Sequence, residues 1–219
     1  MPVWTAGSLR VAARYVLPPL LAGTGLAAAG RRGAAAAALA AAAGITLFFR
    51  DPGRFPDPCE PGVVYAVTDG KVVLVGDGVH VPWLPGGPYR QVSVFLSLAD
   101  VHVAWSPVSG KMVSWTWLDG KCRAAMLRAA EEGNRQSRIT IETGTGGDMI
   151  GVVLAAGLIA RRITQWALPG VLLLGRRLAI IHFGSRCVMY VPQARYELLA
   201  ARGDRLTAGV SPVARRLTA

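Results

Sequence analysis

Apolar positions follow two regimes along this chain. Before residue 50 they form two long, nearly unbroken stretches, Tyr15–Gly30 and Gly33–Phe49, of 16 and 17 residues. The Arg31-Arg32-Gly33 break between them predicts a turn joining two apolar helices. After residue 50 apolar residues come in short runs rich in Val, Ile and Trp, cut by Gly, Asp and Pro. VVYAV (63–67), KVVLVGD (71–77), QVSVFLSL (91–98), KMVSWTWL (111–118), RITIET (138–143) and LAIIHF (178–183) are the strand candidates. Several alternate apolar and polar residues, as half-buried strands do. FFRDPGRFPDP (48–58) is an irregular connection, and CRAAMLRAAEEG (122–133) reads as one short helix. Gly151–Ile163 is compatible with a buried strand followed by a turn. DGKVV at 69–73 and SGKMV at 109–113 look alike and suggest two units of related shape.

This pattern predicts a mainly β protein: a compact antiparallel sandwich or barrel-like domain over 51–219, with an apolar helical hairpin over 1–50. The hairpin's composition sharpens its reading. It holds Arg10, Arg14, Arg31, Arg32 and Arg50 and no acidic residue. Each stretch falls slightly short of the roughly 20 residues that cross a bilayer. A soluble hairpin packed on the domain is one reading. A membrane-associated hairpin, shallow or marginally spanning, is the preferred one, its arginines meeting anionic headgroups.

The whole chain carries 24 Lys+Arg against 13 Asp+Glu, a formal charge of +11. A basic, apolar chain suits nucleic acid or an anionic membrane; with an apolar hairpin and no run of like charges, the membrane is preferred. Cys59, Cys122 and Cys187 lack metal-site or disulfide-framework spacing, and His80, His102 and His182 lie too far apart to show a metal spacing. No GxSxG elbow, Walker A loop or GxGxxG is present. The polar groups left for chemistry are few. Asp100 and His102 would share a face if their segment were a strand. Asp69-Gly70 reads first as a hairpin turn, and Gly184-Ser185 as a common turn dipeptide. Residues alone lead to a membrane-attached β domain with a handful of candidate groups.

Six segments carry more: FFRDPGR (48–54), TDGKV (68–72), VSVFLSLADVHVAWSPVSGKM (92–112), EEGNR (131–135), AGLIARRI (156–163) and HFGSRCVMYVP (182–192). In this order and spacing the chain resembles the short bacterial branch of the phosphatidylserine decarboxylases. The resemblance implies a pyruvoyl enzyme made from a proenzyme that cuts itself between Gly184 and Ser185, leaving a β chain (1–184) and an α chain (185–219). Ser185 would become the covalent pyruvoyl group. That group would form a Schiff base with phosphatidylserine, which loses CO2 to give phosphatidylethanolamine. His102 would be the base and Asp69 its orienting partner, with His182 a rival base. Arg161, Arg162 and Arg186 are candidates for the lipid phosphate or carboxylate. The chain departs from longer relatives by Trp105 where they carry a second histidine, and from short ones by Ala104-Trp105 where they show Asn-Arg.

Further expectations are an anionic membrane and phosphatidylserine as partners, no nucleic acid, no metal, and the cytoplasmic face of the cell membrane, with homo-oligomerisation left open. Two alternatives stand beside this reading. One is a non-catalytic, membrane-tethered biotinyl-like β module. The other is a pyruvoyl decarboxylase for a different serine lipid.

Overall fold

A computed structural model describes residues 3–56, 59–120, 135–156, 162–183 and 185–217. The chain divides into two compact units, Met1–Gly53 and Arg54–Ala219.

The first unit is a helical hairpin of α1 (Ala6–Ala28) and α2 (Arg32–Phe48). Helix α1 starts early because Thr5 and Ser8 form a capping box: the Ser8 amide donates to Thr5 Oγ1 (3.2 Å), and the Thr5 amide to Ser8 Oγ (3.0 Å). At 23 residues it is longer than its apolar stretch implied, because Arg10 and Arg14 are carried on the helix. At 1.5 Å per residue it spans about 34 Å, and it is long and apolar enough to cross a membrane. Gly30, at φ 74°, makes the turn. Gly23 lets the helices close up, since a Cβ there would lie 2.8 Å from Leu39. The open end is tied: Trp4 Nε1 donates to the Thr46 carbonyl (3.0 Å), and Thr5 Oγ1 to the fully buried Asp51 (2.7 Å). Leu9, Leu17, Leu20, Leu21, Leu39 and Leu47 all point outward, exposed.

The second unit is antiparallel β throughout its described pairings. Its strands are β1 (Val63–Tyr65), β2 (Gly70–Val79), β3 (Tyr89–Leu96), β4 (Val103–Trp105), β5 (Gly110–Leu118), β6 (Gln136–Thr143), β7 (Met149–Ala156), β8 (Arg162–Gln165), β9 (Gly170–Leu172), β10 (Arg177–His182), β11 (Ser185–Pro192), β12 (Tyr196–Leu198), β13 (Arg205–Leu206) and β14 (Pro212–Arg216). They form an eight-stranded sheet, β13-β2-β3-β11-β7-β6-β5-β9, and two three-stranded sheets, β1-β14-β12 and β4-β10-β8. The core joins one face of the large sheet (Val92, Val94, Leu96, Ile139, Ile141, Val152, Leu154, Cys187, Met189) to the small sheets through Val64, Ala104, Ala179, Ile181 and Ala214. The mainly β expectation holds, and each of the six strand candidates overlaps a strand. The helix expected over 122–133 lies outside the described residues.

The likeness of DGKVV and SGKMV marks an internal twofold relation. Read inward from its edges, the large sheet runs β13-β2-β3-β11 on one side and β9-β5-β6-β7 on the other. The halves exchange equivalent bonds: Tyr65 N donates to Pro107 O (3.0 Å), and Trp105 N to Val67 O (2.9 Å). Gly209 N donates to Ala66 O (2.8 Å), and Gly175 N to Ser106 O (3.0 Å). Asp69-Gly70 is thus not a hairpin turn. β1 pairs with β14 and β2 with β3 and β13, so the dipeptide carries the chain from a small sheet into the large one. Gly70, at φ 140°, must lack a Cβ, which would overlap the Phe95 carbonyl oxygen; a Cβ on Gly110 would overlap that of Glu142.

Candidate active site

β11 lies at the centre of the large sheet. Ser185, its first residue, pairs with Leu96 of β3 and Ala156 of β7. Strand alternation turns its side chain to the same face as Cys187 and Met189, which belong to the core. Its Oγ is fully buried and has no hydrogen-bond partner among the described residues. Burying a hydroxyl without a partner costs about 1–3 kcal/mol, a cost that this oxygen shares with Thr68 Oγ1 and Ser137 Oγ. Two residues earlier Phe183 has φ 51°, a left-handed conformation that costs an L-residue of this bulk about 1–2 kcal/mol. Backbone strain therefore sits immediately before Gly184, itself outside the described residues.

That left-handed residue changes how His182 relates to Ser185. Strand parity would make residues three apart face opposite ways. His182 instead ends β10 in a small sheet, while Ser185 opens β11 in the large one. His182 is buried, with Nε2 3.0 Å from Thr164 Oγ1.

His102 is fully buried. Residues 97–102 form a turn rather than the strand that would put Asp100 and His102 on one face. The Asp100 carboxylate accepts from the Ser97 amide (2.8 Å) and Ser97 Oγ (2.6 Å), while its carbonyl oxygen lies 3.0 Å from His102 Nδ1. A carbonyl only accepts, so Nδ1 must carry the proton and Nε2 is the basic nitrogen of the neutral ring. The Ile181 amide donates to the His102 carbonyl (2.8 Å), which laces this residue to the strand leading into Ser185.

Asp69 serves the same segment from the other side. Its Oδ2 accepts from the Val101 amide (3.4 Å), one residue before His102, and its Oδ1 accepts from the Ala208 amide (2.9 Å). Arg54 pairs with Oδ1, and its guanidinium lies 5.7 Å from the centre of the buried Trp105 ring. Asp69 thus binds the backbone one residue before His102, and the His102 carbonyl is tied to β10, which ends three residues before Ser185. Arg54 and the Asp100 carbonyl are the members that sequence reasoning missed. Arg54 lay inside FFRDPGR, but a carbonyl's role leaves no mark in sequence.

Thr164, the partner of His182, also lines a cleft of about 540 Å³ with Arg162, Arg135, Trp117 and Gln165. Arg162 is exposed there, whereas Arg186 is buried on the face opposite Ser185 and donates from Nε to Ser93 Oγ (2.7 Å). Arg161 lies outside the described residues. Cys187 is no rival nucleophile, because burial pushes its thiol up to about 12.

The internal twofold shows where the halves differ. The row Lys71–Phe95–Arg186 corresponds to Lys111–Glu142–Met149, so Ser185 corresponds to Asp148. The Ile181-to-His102 bond corresponds to Arg216 N donating to Gly62 O (2.8 Å), so His102 corresponds to Gly62. Asp69 corresponds to Ser109, whose Oγ accepts from the Leu174 amide (2.9 Å) as Asp69 does from that of Ala208. In the second half Asp148 is consumed by structure: Arg195 (3.0 Å), Arg216 (2.9 Å) and the Tyr196 hydroxyl (3.2 Å) all converge on it. A hydroxyl and an imidazole replace these structural residues in one half only.

Comparison with known proteins gives this asymmetry a family. The model of the family described as phosphatidylserine decarboxylase matches residues 42–214. The chain belongs to the phosphatidylserine decarboxylase family. It is 42% identical over 217 residues to a phosphatidylserine decarboxylase proenzyme of Rhodococcus erythropolis, covering 93% of this chain and 90% of that one. It is 39% identical over 198 residues to one of Mycobacterium sp. strain KMS, covering 88% and 83%. A relative of the same name from Symbiobacterium thermophilum is 39% identical over 178 residues, covering 79% and 81%. The stretch matching the phosphatidylserine decarboxylase family takes in Asp69, His102, Gly184 and Ser185, and begins within α2.

Proposed function

We propose that this chain is a self-processing phosphatidylserine decarboxylase whose pyruvoyl group is made from Ser185. The observation that carries the reading is the buried, partnerless Ser185 Oγ two residues after a strained Phe183, in a chain of this family.

A hydroxyl needs a base to become a nucleophile. His102 Nε2, basic because Nδ1 donates to Asp100, takes the Oγ proton. Oγ attacks the Gly184 carbonyl carbon, the C–N bond breaks, and the amide becomes an ester. Loss of the Ser185 α-proton expels the Gly184 carboxylate and leaves a dehydroalanine. Water then releases ammonia and leaves a ketone at the new amino terminus. Asp69 acts as a positioning residue: it holds the Val101 amide and so the approach of His102.

When present, the pyruvoyl carbonyl supplies an electron sink for the bond that releases CO2. The chain's own tasks are then orientation and proton delivery. Arg162, exposed in its cleft beside Thr164, suits the phosphate or carboxylate of the headgroup. His102 returns the proton that replaces CO2. The apolar hairpin and its acid-free first fifty residues suit attachment to an anionic membrane at the cytoplasmic face.

The test is the intact mass of the purified chain under denaturing conditions, with Ser185→Ala beside it. Fragments of residues 1–184 and 185–219, the smaller without a free amine, together with CO2 release from phosphatidylserine, are expected. Both disappear in Ser185→Ala. A wild-type chain that stays whole and releases no CO2 makes this a non-catalytic membrane-tethered module. Cleavage without turnover of phosphatidylserine moves the substrate to another serine lipid.

A further inference from the structure

The face of the large sheet turned away from the core bears a second, unassigned polar cleft. Its floor follows the pairing: Gln91–Tyr190–Gly151 in one row, Val153 beside Arg138 in the next, and Gln136 opposite Ala155 in a third. Its wall is the segment after β2, where Val81, Leu84 and Tyr89 pack together and Trp83 meets Tyr190 edge to face (6.1 Å, 84°). Gly151 seats that wall, because a Cβ there would lie 2.5 Å from Leu84 and 2.8 Å from Trp83. The cleft encloses about 390 Å³ and is lined also by His80.

Its donors stand ready. The Arg138 guanidinium lies 5.7 Å from the Trp83 ring centre, within cation–π reach. Among the described residues it has no carboxylate partner, and its Nε is buried without a hydrogen bond. The Gln136 side chain, only 4% exposed, lines the same space and makes no hydrogen bond among the described residues. Among the described residues, no acidic one lines the cleft. Arg138 is half-buried, so the unpartnered, buried Nε costs stability, and both side chains line one space walled by aromatic rings.

We infer that this cleft binds a phosphoryl oxyanion, which Arg138 and Gln136 hold. A tetrahedral group that only accepts hydrogen bonds matches a fork of guanidinium donors supplemented by amide N–H. The site is distinct from Ser185. It lies on the other face of the sheet: the rows of Gln136 and Arg138 run through Arg186 and Val188 of β11, which alternate with the inward-facing Ser185, Cys187 and Met189. The phosphoryl group can come from a soluble phosphate or from an anionic lipid headgroup.

Binding of inorganic phosphate to the full chain in neutral detergent, by titration calorimetry, tests the first source. Co-sedimentation with phosphatidylglycerol against phosphatidylcholine vesicles tests the second. Arg138→Gln should weaken the productive arm at least tenfold, and Gln136→Leu about threefold. Arg202→Gln, which removes one exposed charge elsewhere, should leave it within twofold. Melting temperatures show that each variant is folded, and Gln136→Leu carries the test if Arg138→Gln is not. Phosphate binding lost in Arg138→Gln assigns a soluble ligand. Binding seen only with phosphatidylglycerol and lost in the same variant assigns the headgroup. No binding in either arm, or equal losses in Arg138→Gln and Arg202→Gln, overturns the inference. Ser185→Ala should bind as wild type does, so failure of self-cleavage leaves this result readable.

Discussion

Replacing His102 with Gln separates its proposed role as a base from its role as a packed residue. Gln keeps a donor for the Asp100 carbonyl, now 3.0 Å from Nδ1, but has no basic nitrogen. Losing the geometry of that one bond costs about 1 kcal/mol, and imperfect burial of the amide about as much again. Against a folding stability of about 5–15 kcal/mol, the variant stays folded. Loss of a positioned base slows proton transfer by about 10²–10⁴-fold, which at 1.36 kcal/mol per decade is about 3–5 kcal/mol on the barrier. The kinetic effect therefore exceeds the structural one and shows in a protein whose melting is nearly normal. The assay follows the uncut fraction by intact mass after synthesis in a cell-free system. His102→Gln should mature at least a hundredfold more slowly than wild type, and His182→Gln within about tenfold of it. Maturation of His102→Gln at the wild-type rate would refute the reasoning, and a stall in His182→Gln alone would transfer the role to that residue.

Other outcomes follow from contacts already described. Burial, and then the neighbouring Asp148, push the Tyr196 phenol up to about 12 from 10.0. The folded state therefore holds this proton more tightly, and stability should fall as pH rises from about 10 towards 12; Tyr196→Phe should flatten that limb in urea titrations run at stepped pH. Asp69→Ala strands Arg54, whose side chain is only 18% exposed, and orphans the Ala208 amide, so calorimetry should show a loss of about 3 kcal/mol. Adding Arg54→Met should recover part of it. Leu21→Asp, at a site 67% exposed on α1, should lower flotation with anionic vesicles by about two orders of magnitude, from a cost of about 2.5–3.5 kcal/mol per acid at membrane depth. The melting of the β unit should not change.

The strands legible in the sequence were those with one face in the core, such as β3 and β6, where alternation survives. β7 escaped a firm reading because Met149–Ala156 is buried almost throughout, which erases the period of two. Strands of two to five residues, such as β13 and β14, offer too few positions to show a period, and Pro212 at the start of β14 reads as a stop. Ser185, Asp69 and His102 were singled out by resemblance, yet their relations were not legible. Asp69 reaches the site through a backbone amide, and the His102 tautomer is set by a carbonyl. Arg138 and Gln136 were not singled out in the sequence, because the wall that makes their cleft comes from residues about fifty positions earlier.

The placement of Ser185 at the head of β11 bears on what kind of object the proposed processing would make. The 35 residues from 185 to 219 supply β11, paired on both sides in the middle of the large sheet, and also β12, β13 and β14. A cut before Ser185 removes one covalent link and no strand pairing. The two pieces would stay woven together, but their history could not be retraced. The uncut chain folds as a single molecule, with a loop closed between β10 and β11. The cut one, once unfolded, must find its partner by diffusion, and its recovery becomes concentration-dependent. Maturation would thus turn a reversible fold into a kinetically held assembly that is made once.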